Sequence, residues 1–134
     1  MCAALLQARG VIESWLVQHA HGFPPIVLHI TDGESQDGDP TSNAKTITEL
    51  KSSDGNVLLF NCHLSSQRAP KIEYAAGDSS LPDQFAKTLF GMSSVMPPEF
   101  RATANAVGLT IGEGARGFVF NADAAALEIG RAHV

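Results

Sequence analysis

Apolar residues along this chain recur with a helical spacing in some segments and as unbroken runs in others. Leu5, Ala8, Ile12 and Trp15 repeat at helical spacing, and Leu6 and Leu16 widen the stripe. Gly22 and Pro24-Pro25 are expected to end this first helix. PPIVLHIT then forms a continuous apolar run with β-branched residues, as a parallel strand buried on both faces requires. Asp39 and Pro40 read as the N-cap and first position of a second helix, with Ala44, Ile47 and Leu50 inward. Asp54-Gly55-Asn56 makes a turn into VLLFNCHL, a second buried strand, and residues 70–74 give a short extended piece. A helix follows over residues 80–90, with Leu81, Phe85 and Leu89 on one face. Pro97-Pro98-Glu99 opens another, which runs to about Val107 with Phe100, Ala104 and Val107 inward. GFVFNAD is a third buried strand, and Asn121 caps a final helix that barely begins.

The order is α-β-α-β-α-α-β-α, without repeats or low-complexity linkers. Such alternation predicts a three-layer α/β/α, Rossmann-like fold with a mainly parallel sheet, here about three strands with flanking helices. In open parallel sheets ligands bind beyond the carboxyl ends of the strands. The junction of IVLHIT with HITDGESQDGDP is therefore the first place to look for chemistry.

Composition narrows the partners. The 134 residues carry a net charge of −5, with Lys and Arg scattered singly. Phosphate backbones need a basic face, so nucleic acid is excluded as a partner. No apolar run approaches the roughly 20 residues of a membrane span, and MCAALLQARGVIESWL has no basic leader or cleavage site. Cys2 and Cys62 have neither metal-like spacing nor a disulfide framework. Cys62 falls in a strand-like run and is expected to be a buried reduced thiol, which suits a cytoplasmic chain.

Asp32, Glu34, Asp37 and Asp39 are hard oxygen ligands suited to Mg²⁺ or Ca²⁺. An EF-hand loop needs alternating ligands and a terminal Glu, and neither is present. Asp37, Gly38 and Asp39 are expected to serve as turn and helix cap. Asp32, which directly ends a buried strand, is the metal-site candidate. GEGARG at residues 112–117 matches G-x-G-x-x-G, and with Phe118-Val119 the glycine-rich loop of protein kinases. A dinucleotide loop follows a strand and precedes a helix, whereas this one precedes a strand. A kinase would need a strand lysine, a catalytic loop and a metal-binding Asp triplet downstream, where only 17 residues remain. GEGARG is thus expected to be a glycine turn. His29 is expected to be hydrogen-bonded in the core rather than a zinc ligand. The serines at 35, 65, 66, 93 and 94 lack a nucleophile elbow and are expected in loops.

PPIVLHITDGESQDGDP resembles a von Willebrand factor type A domain, in which an apolar strand ends in Thr-Asp-Gly, here Thr31-Asp32-Gly33. DGNVLLFNCHLSS, LFGMSSVMP and ARGFVFNAD extend the resemblance across residues 1–127, to the later half of bacterial, cytoplasmic, stand-alone members. The resemblance implies a cation-gated protein-binding module, not an enzyme. In such domains a D-x-S-x-S loop, a threonine and a strand-ending aspartate hold Mg²⁺. An acidic side chain of a protein partner completes the coordination. Only the aspartate has a counterpart here, Asp32; "DGESQ" and "DSS" do not satisfy D-x-S-x-S. Met1 to Leu5 resembles the segment just past the metal-binding threonine, which implies that Met1 is internal to a longer parent. Mg²⁺ is then a cofactor of that parent, and this fragment is expected to bind none by itself. Residues 128–134, EIGRAHV, resemble a reading frame of a sequencing-library adapter and are expected to be a non-native tail. Without its preceding strand, IVLHIT would present an apolar edge, and the chain alone is expected to be poorly soluble or partly unfolded. The competing reading is a fragment of a Mg²⁺-dependent hydrolase or phosphoryl-transfer domain, with Asp32 on a catalytic ion.

Overall fold

The computed structural model describes residues 1–31, 37–64, 72–74, 76–77, 81, 84–108 and 111–120. The elements are α1 (Cys2–Gln18), β1 (Ile26–Thr31), α2 (Thr41–Thr48), β2 (Lys51–Ser52), β3 (Gly55–Asn56), β4 (Leu58–His63), β5 (Ile72–Glu73), α3 (Gln84–Met92), α4 (Pro98–Ala106) and β6 (Phe118–Phe120). The main sheet has the order β1-β4-β6-β5. β1, β4 and β6 are parallel, and β5 closes the far side antiparallel to β6. This is the α/β architecture expected from the alternating pattern, and the three apolar runs are its three parallel strands. β2 and β3 form a small antiparallel hairpin around the Asp54-Gly55 turn. The final helix expected at Asn121 and the tail at 128–134 lie outside the described residues.

The period-two geometry of β4 and β6 divides the core between two faces. Leu59, Phe118 and Phe120 pack with Leu5 and Ile12 of α1, Ala44 and Ile47 of α2, and Ala86, Leu89 and Phe90 of α3. Phe60, Cys62 and Val119 pack on the opposite face with Phe100 and Ala104 of α4, joined by Met96, Ile111 and Ala115. The sheet thus lies between helix layers, and edge-to-face pairs Phe60–Phe100 and Phe90–Phe118 lock each side. Both β4 and β6 are buried throughout or nearly so, which explains their unbroken apolar sequences.

Some inward assignments shift. Phe85 is 48% exposed, and α3 turns Ala86, Leu89, Phe90 and Met92 inward instead. Val107 is 66% exposed because α4 ends at Ala106, leaving Phe100 and Ala104 as its buried pair. Trp15 lies at the margin, its ring stacked on His19 at 4.2 Å. Cys62 is a buried free thiol, and burial pushes it above the usual thiol range.

β1 differs from its neighbours. Among the described residues it stands at the end of the sheet order and pairs with β4 alone. Pro25 and Thr31 carbonyls accept from the Leu58 and Leu64 amides at 3.2 and 2.8 Å. Carbonyl directions alternate along a strand, so residues 25, 27, 29 and 31 direct their backbone groups at β4. Those of Ile26, Leu28 and Ile30 point to the outer edge.

Candidate functional site

The carboxyl ends of the parallel strands form one rim, reached by Thr31, His63 and Phe120. Two of the loop's carboxylates are described there, and both are engaged with helix ends. Asp37 accepts hydrogen bonds from the Met1, Cys2 and Ala3 nitrogens at 3.1, 2.8 and 2.9 Å. A carboxylate on the free N–H groups at a helix start satisfies orphan donors and complements the helix dipole. Asp37 therefore caps α1 from 35 residues away, while Gly38 turns the chain at φ +113°. Asp39 accepts from the Thr41 amide at 3.0 Å and the Thr41 hydroxyl at 2.7 Å. Pro40 rather than Asp39 holds the N-cap position of α2, so the expected cap is displaced by one residue. The turn-and-cap reading of Asp37, Gly38 and Asp39 accords with these bonds.

The Thr41 hydrogen bonds hold the Asp39 carboxyl below its ordinary value. A carboxyl with a depressed folded-state pKa stabilises the fold fully above its unfolded value, and that contribution disappears as pH falls through the folded value. The Thr41 amide resonance is accordingly expected to titrate with a midpoint below 3.8, the unperturbed value. A midpoint at or above it would mean that the carboxyl does not hold the start of α2.

Asp32, Glu34 and Ser35 lie outside the described residues. Among the described residues, a shallow crevice of about 230 Å³ lies between Met1, Asp39, Thr41, Gln84 and Thr88. It brings together the starts of α1, α2 and α3. Among the described residues, no three of His, Cys, Asp and Glu converge as a metal site would require. His19 and His21 are turned to the Trp15 carbonyl and the Ser53 hydroxyl, both at 3.0 Å. His63 is buried with its ring edge-on to Phe120. The described donors therefore do not fit a cation site by themselves.

The polar feature that sequence reasoning missed lies under α3. Ser93 donates to the Leu89 carbonyl at 2.7 Å, and so accepts from the Asn61 amide nitrogen at 2.9 Å. The same nitrogen reaches the Leu89 carbonyl at 3.3 Å, which turns the Asn61 oxygen to His29 Nδ1 at 2.9 Å. Each donor fixes the next acceptor, so His29 carries a proton on Nδ1. The signal was a lone Asn inside an apolar strand: a polar group buried there must find partners. His29 is thus the hydrogen-bonded strand histidine expected, and Ser93 is a buried structural group instead of a loop serine. Ser94 also serves the sheet, its hydroxyl accepting from the Leu59 amide at 2.9 Å.

GEGARG also resolves into structure. Gly117 donates to the Ser94 carbonyl and its own carbonyl accepts from Asn61, both at 2.8 Å. A Cβ on Gly117 would overlap the Phe60 ring. Arg116 lies over the Phe90 ring at 5.0 Å and donates to the Gly91 and Ser93 carbonyls at 3.2 and 3.3 Å. It thus satisfies orphan carbonyls at the end of α3. The glycine turn feeds β6, as expected. Among the described residues, no helix is long and apolar enough to cross a membrane. Comparison with protein-family models, with curated proteins and with solved structures gives no match to this chain.

Proposed function

We propose that the chain is the later half of a von Willebrand type A module that binds a protein partner through Mg²⁺, with Asp32 contributing one ligand. The observation that supports this most is the course of β1. It is a parallel strand whose last residue, Thr31, reaches the carboxyl rim just before Asp32-Gly33 in the sequence. The occupation of Asp37 and Asp39 by helix starts leaves Asp32 and Glu34, of which Asp32 directly follows the strand. One carboxylate cannot supply the near-octahedral shell of Mg²⁺, so further ligands must come from a D-x-S-x-S loop and threonine of the parent. In this reading the module is a binding unit of a cytoplasmic protein and performs no catalysis. A metal-dependent hydrolase or phosphoryl-transfer domain is the rival, and no observation on the described residues favours it.

Calorimetric titration with Mg²⁺ tests the reading. The 134-residue chain alone is expected to bind no Mg²⁺. The same chain joined to an upstream strand carrying D-x-S-x-S is expected to bind it, with affinity falling at least about 10-fold in the Asp32→Ala variant. Equal affinity in the joined protein and its variant would remove Asp32 from the site.

A further inference from the structure

We propose that the crevice at the starts of α1, α2 and α3 docks an arginine side chain of a protein partner. The inference stands on the residues that line the crevice and is independent of the metal-site reading.

Met1, Phe85 and Leu89 give the crevice apolar lining, and Asp39, Gln84 and Thr88 add oxygen acceptors to it. Phe85 has the helical spacing of a buried residue, yet its ring is left 48% exposed here. A volume of about 230 Å³ suits one extended side chain, since pockets for drug-sized ligands begin at roughly 300 Å³.

Charge selects the occupant. No Lys, Arg or His is among the residues that line the crevice. The Met1 ammonium is already paired with Asp37 at 3.1 Å. Both Thr41 bonds end on Asp39 Oδ1, which leaves Oδ2 to accept from a ligand. The same bonds hold the Asp39 carboxyl below its ordinary value, so it is ionised at neutral pH. The start of α2 carries only about half a positive charge, which a full carboxylate outweighs. The chain as a whole, at −5, draws cations and repels anions.

Arginine matches this set better than lysine. Its guanidinium is planar and weakly hydrated, stacks on aromatic rings and offers five N–H donors to several acceptors at once. Phe85 supplies the ring for a cation–π contact, and Gln84 and Thr88 supply oxygens beside the Asp39 carboxylate. The methylenes of the arginine stem then cover Met1 and Leu89, apolar surface that a compact ammonium group leaves wet.

Titration of the 134-residue chain with N-acetyl-arginine amide, followed by the amide resonances of Gln84, Phe85 and Thr88, tests the proposal. Saturating shifts are expected, with half-saturation at about 1–10 mM, the strength of one side chain on an open surface. N-acetyl-citrulline amide keeps the shape without the charge and is expected to bind about 5-fold more weakly. Asp39→Asn retains an oxygen for Thr41 and is expected to weaken arginine binding by about 3-fold. Phe85→Leu retains apolar bulk without the ring, and a similar loss of about 3-fold is expected. Absence of saturable shifts below about 50 mM would overturn the proposal, as would equal binding of the citrulline amide. Unchanged binding in both variants would place the cation elsewhere and equally overturn it. Should either variant fail to fold by circular dichroism, the citrulline comparison on the unaltered chain still decides. Free arginine is expected to bind no tighter than the capped form; tighter binding would make the ligand a free amino acid and overturn docking of a partner.

Discussion

Gly117→Val is expected to lower stability by about 3 kcal/mol or more, enough to prevent folding of a marginal domain. Any Cβ at residue 117 overlaps the Phe60 ring. The ring cannot retreat, because Phe60 is 5% exposed and packed edge-to-face on Phe100. The backbone cannot retreat either, since the Gly117 amide and carbonyl are held by Ser94 and Asn61. Urea denaturation measures the loss. Gly112→Ala, where nothing lies within 4 Å of the added atom, is the internal comparison and is expected to change stability by no more than about 0.5 kcal/mol. Adding Phe60→Leu to Gly117→Val is expected to recover about 1 kcal/mol of coupling. Equal stability of Gly117→Val and the parent would refute the packing described. The glycine spacing that resembled a nucleotide loop is thereby assigned to a steric requirement of the sheet.

The second large effect is expected at Asn61. Asn61→Asp places a carboxylate beneath α3, beside the Leu89 carbonyl, where it faces another acceptor. The His29 Nδ1–H that donates to this residue offsets part of the new charge, so the buried carboxylate is expected to cost about 1–3 kcal/mol and to respond with a raised pKa. With the folded value above the unfolded one, the charged carboxyl is penalised at neutral pH. The penalty shrinks as pH falls through the folded value and is gone below the unfolded one. Denaturation midpoints of this variant are therefore expected to approach the parent's as the solution is acidified towards pH 4. Asn61→Leu separates charge from shape. Ser93 keeps its bond to Leu89, and His29 is only half-buried and can meet water, so the loss should stay near 1 kcal/mol. A pH-independent loss in Asn61→Asp would show that the site is open to solvent.

The sequence made the sheet legible because burial on both faces writes itself as an apolar run. VLLFNCHL and GFVFNAD are inner strands, as their apolar runs imply. The equally apolar IVLHIT stands at the end of the described sheet with Leu28 and Ile30 exposed, so the run revealed a strand but not its place in the order. Helix faces were less legible. Phe85 and Val107 satisfy the spacing but lie outside, because spacing does not reveal where a helix begins or ends. The site was legible only in part. Proximity along the chain suggested that Asp37 serves its own loop, whereas it serves α1, an element 35 residues earlier. Such long-range capping leaves no local signature. Asn61 did carry a signature, a polar residue in an apolar strand, although its partners His29 and Ser93 come from distant segments.

The sheet order has a consequence in time. β4 completes its second side only when β6 arrives, and Asn61 bonds to Gly117 across 56 intervening steps of chain. Ribosomes add roughly 5–20 residues per second, so β4 waits about 3–11 s between its own synthesis and that of its partner. During that interval Phe60 and Cys62 lack the β6 and α4 residues that later bury them. The nascent chain thus passes through a period when this strand is open to chaperones and to other nascent chains. Synonymous changes that slow translation between residues 64 and 117 would lengthen that period without altering a single contact of the finished fold.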